Sequence, residues 1–160
     1  EQSYKNVDIN TRRKIFYKLF NFSKHVKISQ ASLIVDKHQN SKPMEITKQL
    51  SKQLSALIKE NFEYFANFDS IIIYYDNGQY QVTNILVAVF NTLLSIDCEF
   101  RQVLPTDYKL FQTADLVCTL TLIKNKLAIG KNLTKSEQIF FGSVGKLRKT
   151  FLKYFEKIKL

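Results

Sequence analysis

Residues 71–79 read IIIYYDNGQ, and the interpretation of this stretch decides the fold. The pair Asn77-Gly78 is typical of the tip of a β-hairpin. Two features oppose a hairpin: residues 71–75 are uniformly apolar rather than alternating, and the residues after Gly78 soon adopt helical spacing. The sequence therefore predicts a strand buried on both faces, a tight turn and then a helix, with Asp76 at the carboxyl end of the strand.

Asp76 then has two interpretations. In open α/β sheets, ligands bind in the crevice outside the carboxyl ends of the strands, which favours a functional carboxylate. Alternatively, Asp76 forms an Asx-turn with Gly78 and has only a structural role. The local sequence alone favours the turn.

Around this stretch, apolar residues recurring at helical spacing predict helices over 8–26, 43–65, 82–95, 106–123, 135–142 and 143–160. Apolar runs predict strands over 27–35, 71–75 and 99–104. Strands that alternate with helices indicate an α/β fold, and 160 residues suit a single domain spanning 1–160.

The composition restricts the function classes. The chain has 24 Lys and Arg against 14 Asp and Glu, a net charge of +10, which favours a polyanionic partner such as nucleic acid. A lysine-rich composition without functional meaning is the alternative. Only two cysteines and two histidines are present, which argues against a zinc site and suits a cytoplasmic protein with reduced thiols. No apolar run reaches 18 residues, so we expect no membrane span.

Two further aspartates are candidates for chemistry. Asp115 lies within the apolar sequence Ala114-Asp115-Leu116-Val117, where burial of an unpaired carboxylate would be costly unless a metal or a cation accompanied it. Asp107 lies near the start of the same predicted helix, where an acidic residue suits the macrodipole as a cap. Clustered carboxylates are typical Mg²⁺ ligands, and two such ions support phosphodiester cleavage.

The last predicted helix carries apolar residues toward a core and basic residues on another face. The expected core residues are Leu147, Phe151, Phe155 and Ile158. The basic residues are Lys146, Arg148, Lys149, Lys153 and Lys157. These cations are interpreted either as contacts to a nucleic-acid backbone or as a solvated helix face whose long stems cover apolar surface.

The segments IIIYYDNGQ, NILVAVFNTLLS, EFRQVLPTDYKLFQTADLVCTL and LTKSEQIFFGS, followed by the basic tail, resemble an uncharacterised bacterial family of the ribonuclease H-like superfamily. The resemblance extends from the helix NTRRKIFYKLFNF to Leu160. It implies a five-stranded mixed sheet flanked by helices and an acidic cluster that binds Mg²⁺ or Mn²⁺. Asp76 matches the acid of the fourth strand and Asp115 the acid of the later helix. Asp107 and Asp36 are additional candidates.

The chain departs from that family in one respect. Members open with a strand ending in Asp-Glu-Ser-Gly, and this sequence contains no such segment. We therefore expect a fold that is incomplete at its N-terminus, completed by a missing segment or a second chain. We also expect these 160 residues alone to show no nuclease activity that depends on divalent metals.

Three functional hypotheses follow. The first is a metal-dependent nuclease or phosphoryl-transfer domain that acts on RNA or DNA. The second is a non-catalytic nucleic-acid-binding domain on the same fold. The third is a protein-interaction domain whose positive charge is incidental.

Overall fold

A computed structural model describes residues 8–36, 42–75, 80–104 and 106–160, with only the backbone described at 80 and 81. The fold is mixed α/β and mostly helical (66%), with a small two-stranded parallel sheet. The chain forms two compact units. Unit 1 combines residues 1–32 with 109–160, and unit 2 comprises residues 33–108.

The elements follow in chain order: α1 (Ile9–His25), α2 (Pro43–Glu60), α3 (Phe62–Ala66), β1 (Ser70–Tyr75), α4 (Tyr80–Leu93), β2 (Asp97–Gln102), α5 (Lys109–Ala128), α6 (Lys135–Phe141), α7 (Val144–Lys146), the π-helical segment π1 (Leu147–Leu152) and α8 (Lys153–Lys157). The last three elements follow one another without a break, and we refer to them together as the C-terminal helix.

The sheet belongs to unit 2. β1 and β2 pair in parallel, in a register that runs from Ser70 opposite Asp97 to Tyr75 opposite Gln102. A parallel pair needs a crossover connection, and α4 supplies it. The prediction of a strand followed by a helix is confirmed and the hairpin interpretation is wrong, because β1 pairs with β2 and the chain is helical from Tyr80 onward.

The expectation that β1 is buried on both faces is wrong. Burial alternates along the strand, and the side chains of Ile72 and Tyr74 are 44% and 39% exposed. Ile71 and Ile73 point the other way and pack against a core formed by α2 and α4. That core contains Leu54, Ile58, Ile85, Val89, Phe90 and Leu94. A helical layer on a single face of the sheet explains the alternation.

The strand expected at residues 27–35 does not form. Residues 31–36 have no regular secondary structure, and the only pairing nearby is an isolated bridge at Gln30. The Gln30 amide donates to the Ile158 carbonyl (2.9 Å), and the Leu160 amide donates to the Gln30 carbonyl (2.9 Å). The strand expected at 99–104 is present as β2, displaced two residues toward the N-terminus.

The core of unit 1 is aromatic. It is built from α1, α5, α6 and the C-terminal helix, and Phe151 is completely buried at its centre. The Phe151 ring contacts Phe20 (4.7 Å between centroids), Phe16 (5.1 Å), Tyr17 (5.6 Å) and Phe141 (5.8 Å) in edge-to-face geometry. Such pairs stabilise a core beyond the area that they bury.

Side chains cap the starts of two helices in unit 1. The Asp8 carboxylate accepts hydrogen bonds from the amides of Asn10 (3.1 Å) and Thr11 (3.3 Å) at the start of α1. Thr134 and Glu137 form a reciprocal capping box at the start of α6, with bonds of 3.2 and 2.6 Å. These bonds satisfy amides that would otherwise have no helical partner.

Candidate nucleic-acid interface

Positive charge is concentrated in unit 1. Its sequence carries 18 Lys and Arg against five Asp and Glu, a net charge of +13. Unit 2 carries six basic against nine acidic residues, a net charge of −3. The excess of +10 in the whole chain therefore understates the basicity of unit 1.

The C-terminal helix contributes the cations predicted from the sequence. We call Lys146, Arg148, Lys149, Lys153 and Lys157 the basic ridge; all five side chains are exposed. Leu147, Phe151 and Phe155 lie in the unit 1 core, each two residues before a ridge lysine. Two residues correspond to about 200° around a helix, so Lys149, Lys153 and Lys157 face away from the core, while Lys146 and Arg148 lie about 100° to either side of Leu147.

The π-helical segment keeps the core and ridge positions in register. In an α-helix, steps of four residues advance about 40° beyond a full turn, so a line of such steps drifts around the helix. In π1 the Lys153 amide donates to the Arg148 carbonyl, five residues earlier. This wider turn offsets the drift. Phe151 and Phe155 therefore both reach the core, and Lys149, Lys153 and Lys157 stay in line.

The positive charge of the basic ridge is not neutralised by the carboxylates of the described residues. The sequence of the C-terminal helix contains one acidic residue, Glu156, and its carboxylate is paired with Lys124 of α5. The other ion pair described in unit 1 joins Lys126 to Glu137 (2.6 Å). Within the described ranges, no ion pair involves a residue of the basic ridge.

A second basic surface lies along α1, and the sequence reasoning missed it. An open groove of about 670 Å³ is lined by Asn10, Arg13, Lys14, Tyr17 and Lys18. We call this the α1 groove. The lining residues follow the spacing i, i+3, i+4, i+7 and i+8, which is one face of a helix. That spacing was the available signal, but the neighbouring apolar stripe of the same helix obscured it.

The predicted acidic site is only partly described. Asp76 lies outside the described residues. Asp115 is exposed on α5, so the expectation of a carboxylate deep in an apolar environment is wrong. The buried residues of α5 form a single narrow stripe comprising Thr113, Leu116, Val117, Leu120 and Ile123. Desolvation of the Cys118 thiol, and then the nearby Asp115 charge, raise the pKa of Cys118.

Asp107 and Asp36 are exposed residues of unit 2. The Asp107 carboxylate accepts a hydrogen bond from the Thr106 hydroxyl (3.3 Å), in a turn that precedes α5. Asp36 lies in the segment without regular structure, so it does not end a strand. Across the described ranges, no group of three or more His, Cys, Asp or Glu residues could hold a metal ion. The described carboxylates alone therefore do not fit a two-metal cluster.

None of the described helices combines the length and the apolar character needed to cross a membrane. The chain matches no protein-family model, no curated protein and no solved structure. The likeness to a ribonuclease H-like family therefore stays a prediction from its motifs.

Proposed function

We propose that the protein binds nucleic acid through unit 1, with the basic ridge contacting the phosphate backbone. The observation that carries this proposal is the segregation of charge: +13 in unit 1 and −3 in unit 2. If the excess of lysine were incidental, both units would be expected to be basic. Unit 2 is instead slightly acidic, so the excess of positive charge belongs to unit 1 alone.

The form of the basic ridge supports backbone contacts. Four of its residues are spaced by three or four positions, so they repeat about every 5.4 Å along one face of the helix. Lysine interacts with phosphate as a point charge, and contacts of this kind give affinity that does not depend on base sequence. The buried aromatic residues beneath the ridge fix the helix, so its cations are held on a rigid support.

Salt dependence tests this proposal. We expect the full-length protein to bind duplex DNA or RNA with an affinity that falls steeply with salt, because each phosphate contact releases counterions. The variant Lys149→Gln/Lys153→Gln/Lys157→Gln should lower the affinity at least roughly tenfold and reduce the slope of log K against log salt by about 2–3. Fluorescence anisotropy over a salt series measures both quantities.

The matched control is Lys48→Gln/Lys52→Gln/Lys59→Gln, which removes three exposed lysines from α2 in unit 2. This control should leave both affinity and slope unchanged. Equal losses in the two variants would indicate attraction by net charge alone and would reject the basic ridge as the interface.

A second candidate function is metal-dependent cleavage of nucleic acid on a ribonuclease H-like fold in the cytoplasm. The parallel β1–β2 pair favours it, because the carboxyl ends of the two strands adjoin: the Val103 amide donates to the Tyr75 carbonyl (3.1 Å). Asp76 follows β1 in the sequence, and Asp107 follows β2. The free thiols of Cys98 and Cys118 suit a reducing compartment.

Cleavage assays with Mg²⁺ or Mn²⁺ test the second candidate. Asp76→Asn should abolish any cleavage and Asp107→Asn should reduce it, while binding to the basic ridge persists without metal. If the full-length protein binds nucleic acid but never cleaves it with either ion, catalysis is rejected and the binding function stands.

A further inference from the structure

The α1 groove has the size of a ligand site. Its volume of about 670 Å³ falls within the range of roughly 300–1,000 Å³ that is usual for small-molecule sites. The groove is open, so an extended strand can lie in it and continue beyond it.

The charge of the α1 groove is entirely positive. Arg13, Lys14 and Lys18 line it, and the sequence of α1 contains no acidic residue. Asp8 precedes the helix, but its carboxylate accepts hydrogen bonds from backbone amides at the N-terminus of α1. The groove is therefore suited to an anion that carries more than one phosphate.

Tyr17 gives the groove an aromatic group in a fixed position. Its ring packs against Phe16 (5.9 Å between centroids) and Phe151 (5.6 Å), and the Arg13 guanidinium lies 5.7 Å from its centroid. Within the described part of the chain, the Tyr17 hydroxyl makes no hydrogen bond. The hydroxyl can therefore form a hydrogen bond with a bound ligand, as can the side-chain amide of Asn10.

We propose that the α1 groove binds single-stranded nucleic acid, with Arg13, Lys14 and Lys18 contacting phosphates and with Tyr17 and Asn10 contacting a sugar or base. This proposal rests on the proposed nucleic-acid-binding function of unit 1. A positively charged groove combined with an aromatic side chain is the usual arrangement for binding single strands. A duplex keeps its bases stacked, so only an unpaired strand can present them to the groove.

The α1 groove and the basic ridge are separate surfaces. Tyr17 packs on Phe151, which lies on the core side of the C-terminal helix, whereas Lys149 and Lys153 project from its other side. Substitutions in one surface therefore leave the other intact. This separation allows the two proposals to be tested independently.

The test compares single-stranded and duplex probes of about 12 nucleotides, within the site sizes known for single-strand binding. Arg13→Gln/Lys14→Gln/Lys18→Gln should weaken binding of oligo-dT and oligo-U at least roughly tenfold and lower the salt slope by about 2. Duplex affinity, which depends on the basic ridge, should be retained. Tyr17→Phe keeps the partly buried ring and should weaken single-strand binding several-fold.

The α2 triple variant described above again serves as the control and should bind both probes normally. The proposal is overturned if the groove variant loses duplex and single-strand affinity equally, or loses neither. It is also overturned if a mononucleotide or inorganic pyrophosphate binds as tightly as the oligonucleotides, since the groove would then select a free phosphate compound. If the basic ridge is not the duplex interface, the variant Lys149→Gln/Lys153→Gln/Lys157→Gln will bind duplex as tightly as the wild type, a result independent of the groove variant.

Discussion

At the scale of single residues, Glu137 connects two helices of unit 1. Its carboxylate accepts a hydrogen bond from the Lys126 ammonium group of α5 (2.6 Å) and another from the Thr134 amide at the start of α6 (2.6 Å). The hydrogen bond from Lys126 is the main cause that holds the pKa of Glu137 below its ordinary value, and the bonds from Thr134 lower it further. Desolvation of the carboxylate opposes these effects but does not outweigh them together. The ionised form is therefore the one that stabilises the fold.

Glu137→Gln should lower the free energy of unfolding at neutral pH, because glutamine loses the charge interaction with Lys126 and weakens the capping box. The pKa is lower in the folded state, so the stabilisation is present above the ordinary glutamate value of about 4.3 and is lost as pH falls through the folded value. The difference between wild type and variant should therefore shrink below about pH 4. Thermal unfolding followed by circular dichroism from pH 3 to pH 7 measures it.

Glu63→Gln, which changes an exposed glutamate of α3, is the control and should show little difference at any pH. If the difference between wild type and Glu137→Gln stays constant across the series, the stabilisation does not come from the ionised carboxylate.

At the scale of elements, the side chains of β1 alternate between the covered and the exposed face of the unit 2 sheet. Ile73 packs beneath α2 and α4, whereas Ile72 shares the exposed face with Tyr74 and Arg101. Ile73→Lys should destabilise unit 2 by roughly 1–3 kcal/mol more than Ile72→Lys, because Ile73 packs against the hydrophobic core whereas Ile72 lies on the exposed face. Chemical denaturation of the two variants, which carry the same substitution at adjacent positions, compares them directly.

Equal losses at positions 72 and 73 would show that β1 is covered on both faces, as the sequence alone suggested. A larger loss at Ile72 would show that the strand presents the opposite face to the helices. Either result would contradict the packing described for unit 2.

The helices of this chain could be predicted from the sequence because their signals are local. Spacing placed α1 and α4 within about two residues of their observed bounds, whereas the helix expected over 43–65 ends at Glu60 as α2 and is followed by the short α3. The apolar run at 33–35 could not be interpreted in this way. Gln30, just before it, pairs with a segment about 130 residues further along the chain, and no local pattern reports that partner.

The candidate sites were predicted less completely than the helices. The apolar neighbours of Asp115 suggested burial, but some apolar residues of α5 lie outside its buried stripe and are exposed. Leu110 and Leu122 are 55% and 62% exposed. The sequence placed the basic ridge correctly because its cations and its core residues repeat with the same spacing. It could not show that the charge is segregated by unit, since unit 1 combines two distant parts of the chain.

At the scale of the whole molecule, each unit has its own hydrophobic core. The unit 1 cluster is centred on Phe151 and the unit 2 cluster on Ile58, and the two clusters share no residue among those described. Unit 2 is a continuous segment inserted between the two parts of unit 1. Unit 1 must therefore close a long loop during folding, which costs conformational entropy, whereas unit 2 closes only shorter loops.

Two substitutions test whether the cores are energetically independent. Phe151→Ala should cost roughly 3–5 kcal/mol and Ile58→Ala roughly 2–5 kcal/mol, because both side chains are completely buried. If the cores are independent, the double variant should lose the sum of the two within about 0.5 kcal/mol. Hydrogen exchange should show faster exchange in residues 109–160 for Phe151→Ala and in residues 33–108 for Ile58→Ala. Accelerated exchange throughout the chain in both single variants, with a double-variant loss that departs from the sum, would mean that the two units unfold as one.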